Sequence, residues 1–185
     1  MLTAEQEQQI VQQVLSGDKD RYADIVKEHQ VTVANLCYKL VGNKLDVDEV
    51  TQQVFVELYT ALPRFRHASR LSTFIYRITV NVVSKMLKHD RRIVSYDPVV
   101  ADPLAFSPSQ QSVESCEAQM MKEEQIRQLH SAIGKLKHEQ RTALVLYTFN
   151  DFSYNDIAEV MQVSLSKVES LIFRAKKNLQ KMMTQ

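Results

Sequence analysis

The chain has 185 residues, 44% hydrophobic and 24% charged, with a formal net charge of +1 at pH 7. That is the profile of one ordinary globular domain or two small ones. No apolar run reaches the length of a transmembrane helix, MLTAEQEQQI has no basic region followed by an apolar core, and three glycines argue against hairpin-rich β structure and Gly-rich phosphate loops.

The near-neutral total hides segregation. Residues 1–63 carry net −5, residues 64–92 net +7, residues 93–166 net −5 and residues 167–185 net +4. Two separated basic blocks in such a chain point to two polyanion contacts, although a single block is equally well a solvated helix face. Cys37 and Cys116 lack metal-ligand spacing and fit a reducing interior.

In chain order, residues 2–16 read as a short amphipathic helix with Ile10, Val11, Val14 and Leu15 at helical spacing. Gly17-Asp18 breaks it. A longer helix spans 20–41 and stops at Gly42-Asn43. Asp46 is placed as the N-cap of a helix over 47–62, with Glu49 three residues on as a capping-box variant and Pro63 at its end. Its expected inward set is Val50, Val54, Phe55, Leu58 and Leu62. After a basic loop, Arg64–Arg70, a helix over 72–88 turns Ile75, Ile78, Val82, Met86 and Phe74 inward.

From Ile93 to Glu114 the periodicity is lost. The stretch VSYDPVVADPLAFSPSQQSVE holds three of the four prolines and no basic residue, the composition of a linker. Four helical segments follow, at 115–134, 138–149, 154–161 and 165–182. Ser153-Tyr154-Asn155-Asp156 opens the third with a capping box. Residues 162–164 form a tight turn into the fourth, which predicts a helix-turn-helix. No strand signal appears. The expected fold is all-α, two small helical domains joined by a flexible linker, with domains at 1–92 and 115–185.

Two constellations point to nucleic acid. In SLSKVESLIFRAKK, Val168, Leu171, Ile172 and Ala175 form an inward stripe continued by Leu179 and Met182. The other face carries Ser166, Lys167, Glu169, Ser170, Phe173, Arg174 and Lys177. On a recognition helix, Arg pairs with guanine, Glu accepts from cytosine and an apolar ring meets a thymine methyl. Lysines further along, Lys176, Lys177 and Lys181, are placed to meet phosphates. In the first basic block, Phe65, Phe74 and Tyr76 interleave with Arg64, Arg66, Arg70 and Arg77, with Asn81 one turn beyond. Aromatics stack on unpaired bases while cations follow the backbone, which suits a melted strand. The plain alternatives are a solvated face for the last helix and core packing for Phe74 and Tyr76. Neither a catalytic set nor a metal-ligating set can be argued from the five histidines.

Three ordered blocks carry a resemblance: DVDEVTQQVFVELYTALPRF (46–65), LSTFIYRITVNVVSKMLKHDRR (71–92) and FSYNDIAEVMQVSLSKVESLIFRAKKNL (152–179). Together they resemble regions 2 and 4 of bacterial RNA polymerase sigma factors of the extracytoplasmic-function type, closest to the envelope-stress kind. The resemblance implies a cytoplasmic, non-enzymatic subunit that needs no cofactor, small-molecule substrate or membrane insertion. Its implied partners are core RNA polymerase, promoter DNA and an anti-sigma factor. It further implies that Asp48, Glu49, Gln52, Gln53 and Phe55 dock on the polymerase clamp helices. Phe65, Arg66, His67, Ser69 and Arg70 would capture a flipped −10 base, and Arg77, Asn81, Lys85 and Lys88 would hold the non-template strand. Lys167, Glu169, Ser170, Phe173, Arg174 and Lys177 would serve the −35 element. The sequence departs from the pattern at Phe74, where the family usually has Trp, and at Ser166-Lys167, where Gly-Thr is common. Two other readings stand beside it: a free-standing helix-turn-helix regulator acting on duplex operators, and a metal-dependent nuclease using Asp46, Asp48 and Glu49.

Overall fold

The computed structural model describes residues 3–42, 45–65, 70–93, 128–150 and 152–184. Among them the regular structure is entirely helical: α1 (Ala4–Leu15), α2 (Tyr22–Val41), α3 (Val47–Ala61), α4 (Leu71–Ile93), α5 (128–135), α6 (His138–Phe149), α7 (Tyr154–Met161) and α8 (Leu165–Met183). The expected linker and the first part of the 115–134 helix fall outside the described residues, except that Ile93 still belongs to α4.

Local chemistry sets the ends. Thr3 and Gln6 close a reciprocal capping box on α1, with Gln6 N–H donating to Thr3 Oγ1 at 3.2 Å. Asp46 Oδ1 accepts from the amides of Asp48 and Glu49 at 2.8 and 3.2 Å, as expected of a helix N-cap. α2 ends at Gly42, whose φ of 58° is open to a residue without a Cβ. Pro63 lies in the 3-10 turn Leu62–Arg64 that closes α3.

α2, α3 and α4 pack against one another, with α1 laid on α2. Leu36, Leu40, Val50, Val54, Leu58, Leu62, Ile75 and Val83 are buried among them. Tyr22 reaches across to donate its hydroxyl to the carbonyl of Phe55 at 2.6 Å, with its ring edge-on to Tyr59 at 5.0 Å. Burial holds the Tyr22 phenol well above its ordinary pKa. Burial likewise pushes the Cys37 thiol up to about 11.

In the C-terminal half, α6, α7 and α8 pack on one another around Val145, Leu146, Ile157, Val160, Val168, Leu171 and Ile172. Lys176 places its ammonium 4.9 Å from the Tyr147 ring, tying α8 to α6. Lys176, an expected phosphate contact, lies exposed beside this ring. The two halves are not separate cores. α7 lies on α4 and α6 meets α2, so Ala143, Val145, Leu146 and Ile157 join the same buried cluster as the α2–α4 residues. α4 accordingly has two buried sides. Ile75, Ile78 and Val82 were expected inward; Val80, Val83 and Leu87 are buried as well. A helix apolar on more than one face has a second neighbour to cover it.

Candidate nucleic-acid interface

α7 and α8 form the helix-turn-helix. Ser153 caps α7, its amide donating to Asp156 Oδ2 at 3.0 Å while its Oγ accepts the Asp156 amide at 3.2 Å. The turn is made at Gln162, which adopts a left-handed conformation at φ 54°, with the Val163 amide donating to Ala158 O at 3.0 Å. Ser164 then caps α8 by accepting from the Lys167 amide at 3.3 Å. This fixes the angle at which α8 leaves α7.

The stripe Val168, Leu171, Ile172 and Ala175 is buried against α6 and α7, and Asn178 donates to Gln140 at 3.1 Å. The opposite face is open. Glu169, Arg174 and Lys177 are exposed, Ser170 is half-buried, and Phe173 is 68% exposed. A phenyl ring this exposed is available to an apolar group of a partner. Lys167 is exposed but paired, its ammonium donating to Glu139 at 2.9 Å. Both partners are solvated, and such pairs contribute at most about 1 kcal/mol, so the pairing leaves Lys167 free to exchange.

The second surface lies on α4 and the turn before it. Phe65 packs against the buried ring of Phe74, the two tilted by 41° with centroids 5.0 Å apart, and the Arg77 guanidinium lies 5.0 Å from that same ring. Phe65 is half-buried, so it belongs to an aromatic cluster and does not stand alone on a loop. Asn81, Lys85 and Lys88 follow along the outer side of α4 and are exposed; Lys85 lies 3.6 Å from Glu57. Arg70 is exposed just before α4. Arg66, His67 and Ser69 lie outside the described residues.

A third surface is the outer side of α3. Asp48, Glu49, Gln52 and Gln53 are exposed there. Phe55 is not: at 8% exposure it packs in the core, because it sits on the Val54–Leu58 side of the helix. Its place on the open surface is taken by Val56, 60% exposed, and by Tyr59. Helical spacing could have found them, since Gln52, Val56 and Tyr59 share one face at i, i+4 and i+7.

Among the described residues no group of three or more histidines, cysteines, aspartates or glutamates is arranged to hold a metal, and no helix is long and apolar enough to cross a membrane. Asp46 spends its carboxylate on helix capping.

This arrangement, a helix-turn-helix with an open reading face beside a basic, aromatic-lined helix, defines a transcription-type DNA-binding protein. Residues 25–93 match the model described as Sigma-70 region 2, and residues 126–179 match Sigma-70, region 4. The chain is 35% identical to the RNA polymerase sigma-H factor of Pseudomonas aeruginosa, over 98% of this chain and 95% of that one. It is 30% identical to the ECF RNA polymerase sigma-E factor of Haemophilus influenzae, over 94% of this chain and 93% of the relative. A similar fold occurs in the sigma factor RpoE solved with the anti-sigma factor NepR from Bartonella quintana, with a TM-score of 0.64 and 21% identity over 88% of this chain and 96% of that one. The chain belongs to the sigma-70 family, in its extracytoplasmic-function branch, and its role is that of a sigma factor in transcription initiation.

Proposed function

We propose that the chain binds core RNA polymerase in the cytoplasm and directs it to promoters through two separate DNA contacts, without catalytic chemistry of its own. The domains serving these contacts are 1–92 and 115–185, joined by 93–114. The observation that carries the reading is the open face of α8, with Phe173 exposed between Glu169 and Arg174 on a well-capped helix-turn-helix. Glu169, Ser170, Phe173 and Arg174 read −35 base edges in the major groove, while Lys167 and Lys177 add phosphate attraction.

Phe65, Arg66, His67, Ser69 and Arg70 receive an extruded −10 base, and Arg77, Asn81, Lys85 and Lys88 hold the displaced strand. Extruding a base costs a few kcal/mol, which an aromatic and polar pocket offsets. The Phe65–Phe74–Arg77 cluster supports this reading, because Arg77 is already held over an aromatic ring. The outer side of α3, with Asp48, Glu49, Gln52 and Gln53 joined by Val56 and Tyr59, docks on the polymerase. Phe55 supports that face from inside. An anti-sigma factor restrains the protein in a stress response by covering these faces; a protein of similar fold, RpoE of Bartonella quintana, is solved in complex with the anti-sigma factor NepR.

The experiment is run-off transcription with purified core polymerase on native promoter fragments. Promoter-specific transcripts that require this chain are expected. Tight operator binding without core enzyme, and no transcript, would favour the free-standing regulator instead.

A further inference from the structure

Charge is spread unevenly along α8. The helix carries five cations, Lys167, Arg174, Lys176, Lys177 and Lys181, and one anion, Glu169. Four of the cations lie from Arg174 onward. Ahead of Arg174 the open residues are Leu165, Ser166, Glu169 and Phe173, with Lys167 as the one cation. That cation is already engaged. Its ammonium lies 2.9 Å from the carboxylate of Glu139, in the first turn of α6.

Glu139 stands at the rim of the reading face. Lys167, Arg174 and Asn178 fall on one edge of α8, at i, i+7 and i+11. The start of α6 meets that edge at two points: Gln140 accepts from Asn178 at 3.1 Å, and Glu139 accepts from Lys167. Arg174 lies between these anchors in the helical register, so the carboxylate flanks a residue given a base-reading role above. A lysine that meets a phosphate releases a counterion, worth about 0.9 in the slope of log K against log salt. Lys167 reaches a phosphate only by leaving Glu139. The carboxylate it leaves is then a lysine side chain's length from the same backbone, comparable to the screening length of about 10 Å at 0.1 M salt. Closed or open, the pair brings no net charge to the DNA.

We propose that Glu139 is an affinity-setting residue of the −35 contact: it cancels Lys167, so the first half of α8 meets the bases without net phosphate attraction, and the run from Arg174 to Lys181 supplies the hold on the backbone. The inference rests on the −35 reading of α8 and refines it. Of the two lysines given a phosphate role, Lys177 contributes its full charge, and Lys167 does so only when Glu139 is neutralised.

The test titrates reconstituted holoenzyme across a salt series onto a promoter fragment that supports run-off transcription with this chain, its −35 element intact or scrambled. Glu139→Gln should steepen the salt slope by about 0.9 and tighten binding by about 3–8-fold at 0.1 M salt, equally on both fragments. Glu139→Asp, which keeps the charge, should behave as wild type, and E139Q/K167Q should return to the wild-type slope. Glu5→Gln, an exposed carboxylate removed from α1, should leave the slope unchanged. A merely structural role for Glu139 would alter melting and leave the slope alone. An unchanged slope in Glu139→Gln overturns the inference. So does a gain confined to the intact −35 element, which would make Lys167 a base reader, or the same gain in Glu5→Gln, which would make the effect one of total charge. Weaker core-polymerase binding by Glu139→Gln with no change of slope also overturns it and assigns Glu139 to the polymerase. The reading beneath it is checked separately: if Arg174→Ala leaves the preference for the intact element untouched, α8 does not read −35 bases, whatever Glu139 does.

Discussion

Replacing Arg141 by Met keeps most of the aliphatic volume and removes the guanidinium. Two carbonyls, Leu40 O and Gly134 O, then lose donors at 2.6 Å, and Leu136 O loses a weaker one at 3.4 Å. Stranding a buried carbonyl costs about 1–3 kcal/mol, and bonds from a charged donor lie in the upper part of that range. Two strong bonds and a weak one give a loss of about 3–5 kcal/mol after partial rehydration. That is a large fraction of the roughly 5–15 kcal/mol that holds a folded protein together. In a chain of this size it lowers the melting temperature by about 10 °C. Urea denaturation at 25 °C, followed by circular dichroism, measures it. A loss below about 1 kcal/mol would mean that water replaces the guanidinium without penalty, and that Arg141 fills space without bonding the halves.

Three further outcomes are expected. Arg174→Ala should cost about 1–3 kcal/mol at the preferred −35 sequence and relax selectivity at one base position, whereas Lys177→Ala should weaken all sequences alike and reduce the salt slope by about 1; fluorescence anisotropy across a panel of duplexes, with the holoenzyme, separates them. Gln162→Gly should stabilise the protein by about 1 kcal/mol, because Gln162 sits at φ 54° where a Cβ is disfavoured; thermal melting reads it. In a Cys116→Ser background, Cys37 should resist thiol reagents at pH 8 until the chain unfolds, since burial raises its thiol to about 11. The sign follows: below the ordinary thiol pKa near 9 the full stability is present, and it declines as pH rises from there towards 11 because only the unfolded thiol ionises.

Much of this fold is legible in the chain because its signals are local. α6 and α7 span the expected residues, since Ser153 and Asp156 mark a start and apolar residues at helical spacing mark the faces. The open face of α8 follows from the same periodicity. α4 runs five residues beyond the expected 88, as nothing in HDRRI breaks a helix. Phe55 shows the limit of motif matching: periodicity turns it inward while the resemblance places it among docking residues, and the inward position holds. The junction between the halves was not legible. Arg141 and Leu40 are 101 residues apart, Asn150 and Tyr76 are 74 apart, and no local period encodes such pairs. The one sequence signal was the excess of apolar residues on α4, where Val80, Val83 and Leu87 add a second face to the first.

The central claim is that one face of the chain reads duplex DNA while another holds a melted strand, and that core polymerase joins the two. A promoter fragment carrying a fluorescent adenine analogue in the −10 element tests it most directly. With core enzyme and this chain together, fluorescence should rise as the base unstacks, and R77A/N81A should abolish the rise while retaining −35 binding. A signal that the double variant leaves unchanged, or one that core enzyme produces without this chain, would contradict the account.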